Sequence, residues 1–274
     1  MKKHVIGFML IVAFGILGCE EETTRYIEID NPPAVPRGIY SITGDGEVEV
    51  FWIPVQDEDL MFYRVWRSLD DSVYHVVGTT YVAYYRDLNV TNGVTYYYAV
   101  SAVDSAYQES ELSWVELVFD TPRPEGENVF VFDYLYDPDR AGFDFETHRV
   151  VRFDATIADI FVDYDVSLGA FFINAANELT DLQDMGYTYD FDEIGYAPDE
   201  GWSAVGWVEA IEGHTYVIWT DDDHFAKMRI IYVSGTTGLA FDWAYQEAPG
   251  NLELARPQHD ENYLGRTKDM IWLK

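Results

Sequence analysis

No stretch of this 274-residue chain carries apolar residues at helical spacing for more than a turn or two. β-branched and aromatic residues instead alternate with polar ones, in short runs closed by Gly, Asn or Asp. Val48, Val50 and Trp52 share one side of a run whose other side is Glu47, Glu49 and Phe51. Tyr96, Tyr98, Val100 and Ala102 line one face of another run. Phe130, Phe132, Tyr134 and Tyr136 form a third such face, and Leu239, Phe241, Trp243 and Tyr245 a fourth. A period of two is the signature of half-buried strands, so the chain reads as all-β. Apolar residues at 48% and aromatics at 16% can fill cores and exclude a disordered chain.

The segment Asp120-Thr-Pro-Arg-Pro-Glu-Gly126 places two prolines too close together for a central strand or a helix interior. It divides the chain into residues 37–121 and 125–274, each expected to fold alone. Residues 19–36, ending in Pro32, Pro33 and Pro36, read as an extended spacer. The first part holds strand-like runs at Gly38–Ile42, Glu47–Ile53, Met61–Ser68, Val73–Thr79, Val82–Arg86, Val94–Val103 and Leu112–Phe119. That number and spacing suit a small antiparallel sandwich. Asn92-Gly93 marks a turn, because both residues tolerate positive φ.

In the second part, Ala158, Ile160, Val162, Tyr164 and Val166 alternate with Asp159, Phe161, Asp163 and Asp165, which suggests a sheet with one wet, acidic side. Tyr216–Thr220 and Phe225–Val233, joined by Asp221-Asp222-Asp223, read as a hairpin with an acidic tip. Residues 174–201, rich in Asn, Asp and Gly, read as a long loop.

Three resemblances attach to these residues. Val48-x-Val50-x-Trp52, Tyr63-Arg-Val-Trp-Arg67, Leu88 through Gly93 and Tyr96-x-Tyr98-x-Val100-x-Ala102 resemble a fibronectin type III domain, with Tyr96 at the tyrosine-corner position. That likeness implies a fold and not an activity, and so a spacer or docking module. At the N-terminus, Lys2 and Lys3 precede an apolar run from Val5 to Leu17 and then Ile16-Leu17-Gly18-Cys19, which is similar to the bacterial lipoprotein processing box. It implies removal of residues 1–18 and lipidation of Cys19. Glu20, Glu21 and Glu22 then suit either a solvated tether or a surface-export signal. The expected location is the cell envelope, at the outer membrane or cell surface, with the protein tethered by acyl chains and not embedded.

The third resemblance lies near the C-terminus. Gly213-His-Thr-Tyr-Val-Ile-Trp-Thr220, Phe225-Ala-Lys-Met-Arg-Ile230, Leu239 through Gln246 and Phe143-Asp-Phe-Glu-Thr147 resemble the HmuY-like family of β-rich lipoproteins, whose named member captures haem. The family's haem ligands do not carry over. His75, His148, His214, His224 and His259 match no ligand pattern. His214 opposite His224 across the expected hairpin is the one pairing to weigh, but His224 sits near the turn, and each reads as a satisfied surface or turn histidine. No cofactor is expected.

The remaining chemistry is sparse. There is no nucleophile elbow, no His-Glu-x-x-His and no phosphate loop. The single Cys excludes an intrachain disulfide and Cys-rich metal sites. With 49 acidic residues against 17 basic ones and a net charge of −32, nucleic acid is not a partner. Asp221, Asp222 and Asp223 are weak calcium candidates, and Asp190, Asp192, Glu193, Asp199 and Glu200 form a second acidic loop. Trp202 and Trp207 flank a Gly-containing stretch and are candidates for a stacking platform or for core packing. The expectation is a lipid-anchored envelope protein displaying a non-catalytic domain for a small-molecule, glycan or protein ligand. The alternatives are an extracellular carbohydrate-active enzyme with carboxylates hidden among many, and a structural subunit of a surface complex.

Overall fold

The computed structural model describes residues 31–113 and 118–254. The lipoprotein segment with Lys2, Lys3 and Cys19, the Glu20–Glu22 run and His259 lie outside the described residues. Among the described residues no helix is long and apolar enough to cross a membrane.

The fold is all-β. Its first part runs β1 (Arg37–Gly44), β2 (Glu47–Ile53), β3 (Leu60–Ser68), β4 (His75–Thr80), β5 (Tyr84–Asp87), β6 (Tyr96–Asp104) and β7 (Val118–Asp120). These strands make two facing antiparallel sheets, β1-β2-β5 and β4-β3-β6-β7. The alternation read in the sequence sets the core between them, because Val48, Val50 and Trp52 from one sheet meet Tyr63, Val65, Tyr98 and Val100 from the other. Trp52 packs edge-on to Tyr63 at 5.2 Å between centroids. Tyr96 accepts the Thr91 N–H on its hydroxyl at 3.0 Å, which is the corner that its position implies. Gly93 at φ +74° supplies the turn before it.

The second part runs β8 (Glu125–Phe132), β9 (Gly142–Asp144), β10 (Arg149–Val151), β11 (Ile160–Asp165), β12 (Ala170–Ala175), β13 (Asp181–Tyr187), β14 (Trp207–Glu209), β15 (His214–Trp219), β16 (Phe225–Ser234) and β17 (Gly238–Gln246). It too is a pair of antiparallel sheets, β10-β9-β11-β12-β14 over β13-β15-β16-β17-β8. Phe143, Phe145, Ile160, Val162 and Ile173 of the first sheet and its flanking loop face Ile218, Met228, Ile230, Phe241 and Trp243 of the second. Phe143 stands perpendicular to Phe241 at 5.3 Å, a favoured aromatic geometry. Gly126 makes room for this core, since a Cβ there would stand 2.4 Å from Trp243 Nε1.

Three expectations are corrected. The stretch 174–201 is not one long loop, because it contains β13, paired with β15 at the sheet edge. Only Leu182 of β13 is fully buried, so an edge strand with a mostly polar sequence leaves no alternation to read. The strand at 129–136 ends at Phe132, where Asp133 folds the chain back. Its carboxylate accepts N–H bonds from Tyr164 at 2.9 Å and Tyr136 at 3.1 Å. Asp159 does not belong to a wet face, being 7% exposed.

The sheets change over between β7 and β8, where the two prolines sit. That crossover is no exposed linker: Thr121, Pro122, Arg123 and Pro124 are all buried. Gly93 N–H donates to Pro122 O at 2.8 Å from the first sandwich, and Tyr245 N–H to Pro124 O at 3.1 Å from the second. The two sandwiches belong to one compact unit.

Candidate functional site

The outer face of the β13-β15-β16-β17-β8 sheet is covered over one half only. There, Ala197, Val217, Phe225 and Leu254 form a satellite core with Ile194, Trp202, Trp219 and Leu252 around them. Lys227 is fully buried beneath this cover, with Nζ donating to Phe191 O at 2.7 Å and lying 4.0 Å from the Phe191 ring centroid.

The other half, toward the end remote from the crossover, carries an aromatic ledge. Ala240 of β17 pairs with Tyr232 of β16 on one side and with Phe130 of β8 on the other. Residues in register across neighbouring strands project to the same face, so two large rings flank one methyl group. The rings of Phe130 and Tyr232 are 6.1 Å apart, and Phe130 meets Phe132 edge-on at 4.9 Å. The turn set by Asp133 then lays Tyr136 parallel to Phe132, 4° from coplanar and 5.8 Å away. Arg140 closes the row, its guanidinium 4.1 Å from the Phe132 centroid and paired with Asp137 at 2.6 Å. Tyr136 is 64% exposed and Tyr232 44%. The ledge therefore offers ring faces and hydroxyls to solvent beside a fixed cation. Tyr134, expected on the same face, instead packs against Phe153 and Phe161.

The tryptophans singled out in the sequence are not brought together into a platform. Trp202 packs on Trp219 and Phe225 in the satellite core. Trp207 lies on β14 at the edge of the opposite sheet, edge-on to Phe172 at 5.0 Å. Core packing is thus the role of Trp202, and the chain between the two tryptophans crosses from one sheet to the other.

A second concave feature lies at the end of this sandwich nearer the crossover. Asp221 and Asp222, from the β15–β16 turn, meet Asp144, Glu146 and Asp159 around a cleft of about 220 Å³, with Tyr245 in its wall. Asp159 accepts the Phe145 N–H at 2.8 Å. Burial outweighs that bond and, with Asp144, Asp222 and Asp221 nearby, pushes Asp159 up to about 7. Asp222 moves the other way: its partial burial is overcome by the Thr220 hydroxyl and by His224, which hold it low. Asp223 turns away, accepting Trp219 Nε1–H at 3.0 Å with φ at +68°. The three consecutive aspartates thus point to different partners, and among the described residues no three His, Cys, Asp or Glu side chains are grouped to hold a metal ion. In the second acidic loop, Asp190 caps a short 3-10 turn by accepting Asp192 N–H, and Asp192 faces Lys227.

The histidines are separated. His214 opens β15 and sits 3.0 Å from Asp184, whereas His224 follows the turn at the strand's other end, 3.0 Å from Asp222. A strand of that length separates them by about 20 Å, so they do not face each other across the hairpin.

Comparison with known proteins adds the following. No family model matches the chain. It is 38% identical over 87 residues to an amylopullulanase of Thermoanaerobacterium saccharolyticum, a match spanning 30% of this chain and 6% of that enzyme. A fibronectin type III-like protein of Clostridium thermocellum superposes on 32% of this chain and 92% of its own, at 26% identity and a TM-score of 0.29. A DUF4466-family protein of Parabacteroides merdae superposes on 80% of this chain and 95% of its own, at 11% identity and a TM-score of 0.42.

Proposed function

We propose that this chain is a non-catalytic accessory protein of glycan handling, tethered to the cell envelope through Cys19, with the first sandwich as spacer and the second as the glycan-binding body. The observation that carries this reading is the ledge of Phe130, Phe132, Tyr136 and Tyr232 on an otherwise covered sheet face. Pyranose rings present C–H faces that rest on the electron-rich faces of aromatic rings, while tyrosine hydroxyls and Arg140 serve their hydroxyl groups. The local identity to an amylopullulanase, in a stretch about as long as one sandwich, supports association with glucans. The resemblance of the C-terminal strands to HmuY-like lipoproteins supports display of a ligand-binding β-domain. The test is titration of the purified chain with soluble glucans, pullulan among them. Saturable binding that is lost in Tyr136→Ala with Tyr232→Ala supports the reading, and no binding to any glucan counts against it.

A hydrolytic reading rests on the cleft, which gathers Asp144, Glu146, Asp159, Asp221 and Asp222 around one space, with Asp159 held high and Asp222 low. Such a split suits an acid and a base acting on one substrate. Release of reducing sugar by the full chain, abolished in Asp159→Asn, would favour it over binding alone.

A further inference from the structure

The crossover between the sandwiches encloses more negative charge than its cations balance. Arg123 is fully buried, its Nη1 paired with Glu125 at 2.9 Å, while Nε and Nη2 have no hydrogen-bond partner among the described residues. Asp120, fully buried, accepts the Thr43 hydroxyl. Glu253, 7% exposed, enters from the end of the described chain, and Gln246 Nε2 ties that segment down by donating to Glu253 O at 3.2 Å and Thr121 O at 3.4 Å. From β16, fully buried Lys227 faces the same region, but its ammonium is engaged by Phe191 O, Ile194 O and Asp192. Each cation therefore already has a half-exposed carboxylate of its own, Glu125 for Arg123 and Asp192 for Lys227. Among the described residues, Arg123 acts on Asp120 and Glu253 through its charge alone, with no hydrogen bond from Nε or Nη2 to either, and Asp120 Oδ2 is likewise unpartnered.

We propose that Asp120, Arg123 and Glu253 form a proton-controlled latch between the two sandwiches. With a proton on the carboxylate pair, the Thr121–Pro124 crossover stays buried. With both carboxylates ionised, the uncompensated charge draws in water and lets the sandwiches move against each other. The titration supports this direction. Burial, with Asp120 adding and Arg123 opposing, pushes Glu253 up to about 8, and burial raises Asp120 as well. The folded state then binds more protons than the unfolded chain between the ordinary glutamate range and about pH 8. Latch stability is full on the acid side and is lost as pH rises through about 8. Lys227, pushed down to about 7 by burial and Arg123, acts with the opposite sign. A local readout is therefore required.

Three amides report the latch directly: Gly93, Arg123 and Tyr245 donate to Pro122 O, Gly44 O and Pro124 O. Hydrogen exchange of these amides in the full chain, corrected for intrinsic rates, is expected to lose protection by about tenfold or more between about pH 6 and about pH 9. Glu253→Gln should remove most of that fall. Wild-type protection that stays flat overturns the proposal, whether or not the variants fold. So does a full fall retained in both Glu253→Gln and Asp120→Asn.

Discussion

Phe130 and Tyr232 lie two strands apart, and their rings meet at 6.1 Å because the residue in register between them is Ala240. A larger side chain at that position would stand where the rings converge. Ala240→Leu is therefore expected to splay the ledge and weaken glycan binding. Ala240 is 1% exposed, so overpacking should also cost about 1–3 kcal/mol of stability. Chemical denaturation and a glucan titration of the same variant separate the two effects.

Trp52 is 4% exposed and packs on Tyr63 at the centre of the first sandwich. Trp52→Ala should cost about 3–5 kcal/mol. Because the crossover is buried between the sandwiches, the loss should appear near pH 6 as one lowered transition for the whole chain. Calorimetry that resolves an unshifted second transition would show that the halves fold independently.

The runs that the sequence makes legible are those that cross the middle of a sheet. β2, β6, the β15–β16 hairpin and β17 carry strong alternation, since each buries at least one continuous face. Tyr96 was legible as a corner because its partner lies five residues away. The ledge was half legible: Phe130, Phe132 and Tyr136 were placed on one face, but Tyr232 joins them only through strand register, which no local pattern encodes. Of the cleft, only Asp221 and Asp222 were legible as candidates. Its carboxylates come from three separate segments, the end of β9 with the turn after it, the approach to β11 and the β15–β16 turn, in a chain with 49 acidic residues, so no spacing links them. The burial of Pro122 and Pro124 was hidden for the opposite reason, since two prolines in sequence signal a linker wherever they pack.

Asp159 makes the stability of the second sandwich pH-dependent. Its folded-state value near 7 lies above that of an exposed aspartate, so its contribution is present below about pH 4 and is lost as pH rises through about 7. Asp159→Asn keeps a side-chain oxygen for the Phe145 N–H and removes the charge. Unfolding free energies from urea titrations between about pH 4 and about pH 8 should fall less steeply in this variant, by roughly 2–4 kcal/mol over the range.

Cys19 is the proposed site of the tether. Cys19→Ser should abolish metabolic labelling with a fatty acid and move the protein out of the membrane fraction. An unlabelled variant that stays with the membrane would show that the apolar segment Val5–Leu17 is itself the anchor.

Isothermal titration of the purified chain with soluble glucans, alongside Tyr136→Ala and Tyr232→Ala, tests the aromatic ledge most directly. Both residues are well exposed, so their loss should leave the melting temperature nearly unchanged. Each substitution is expected to weaken binding by about 1–3 kcal/mol, and the double variant to abolish measurable heat. Glucan binding of undiminished affinity in the double variant would contradict the assignment of the ledge as the sugar-binding face.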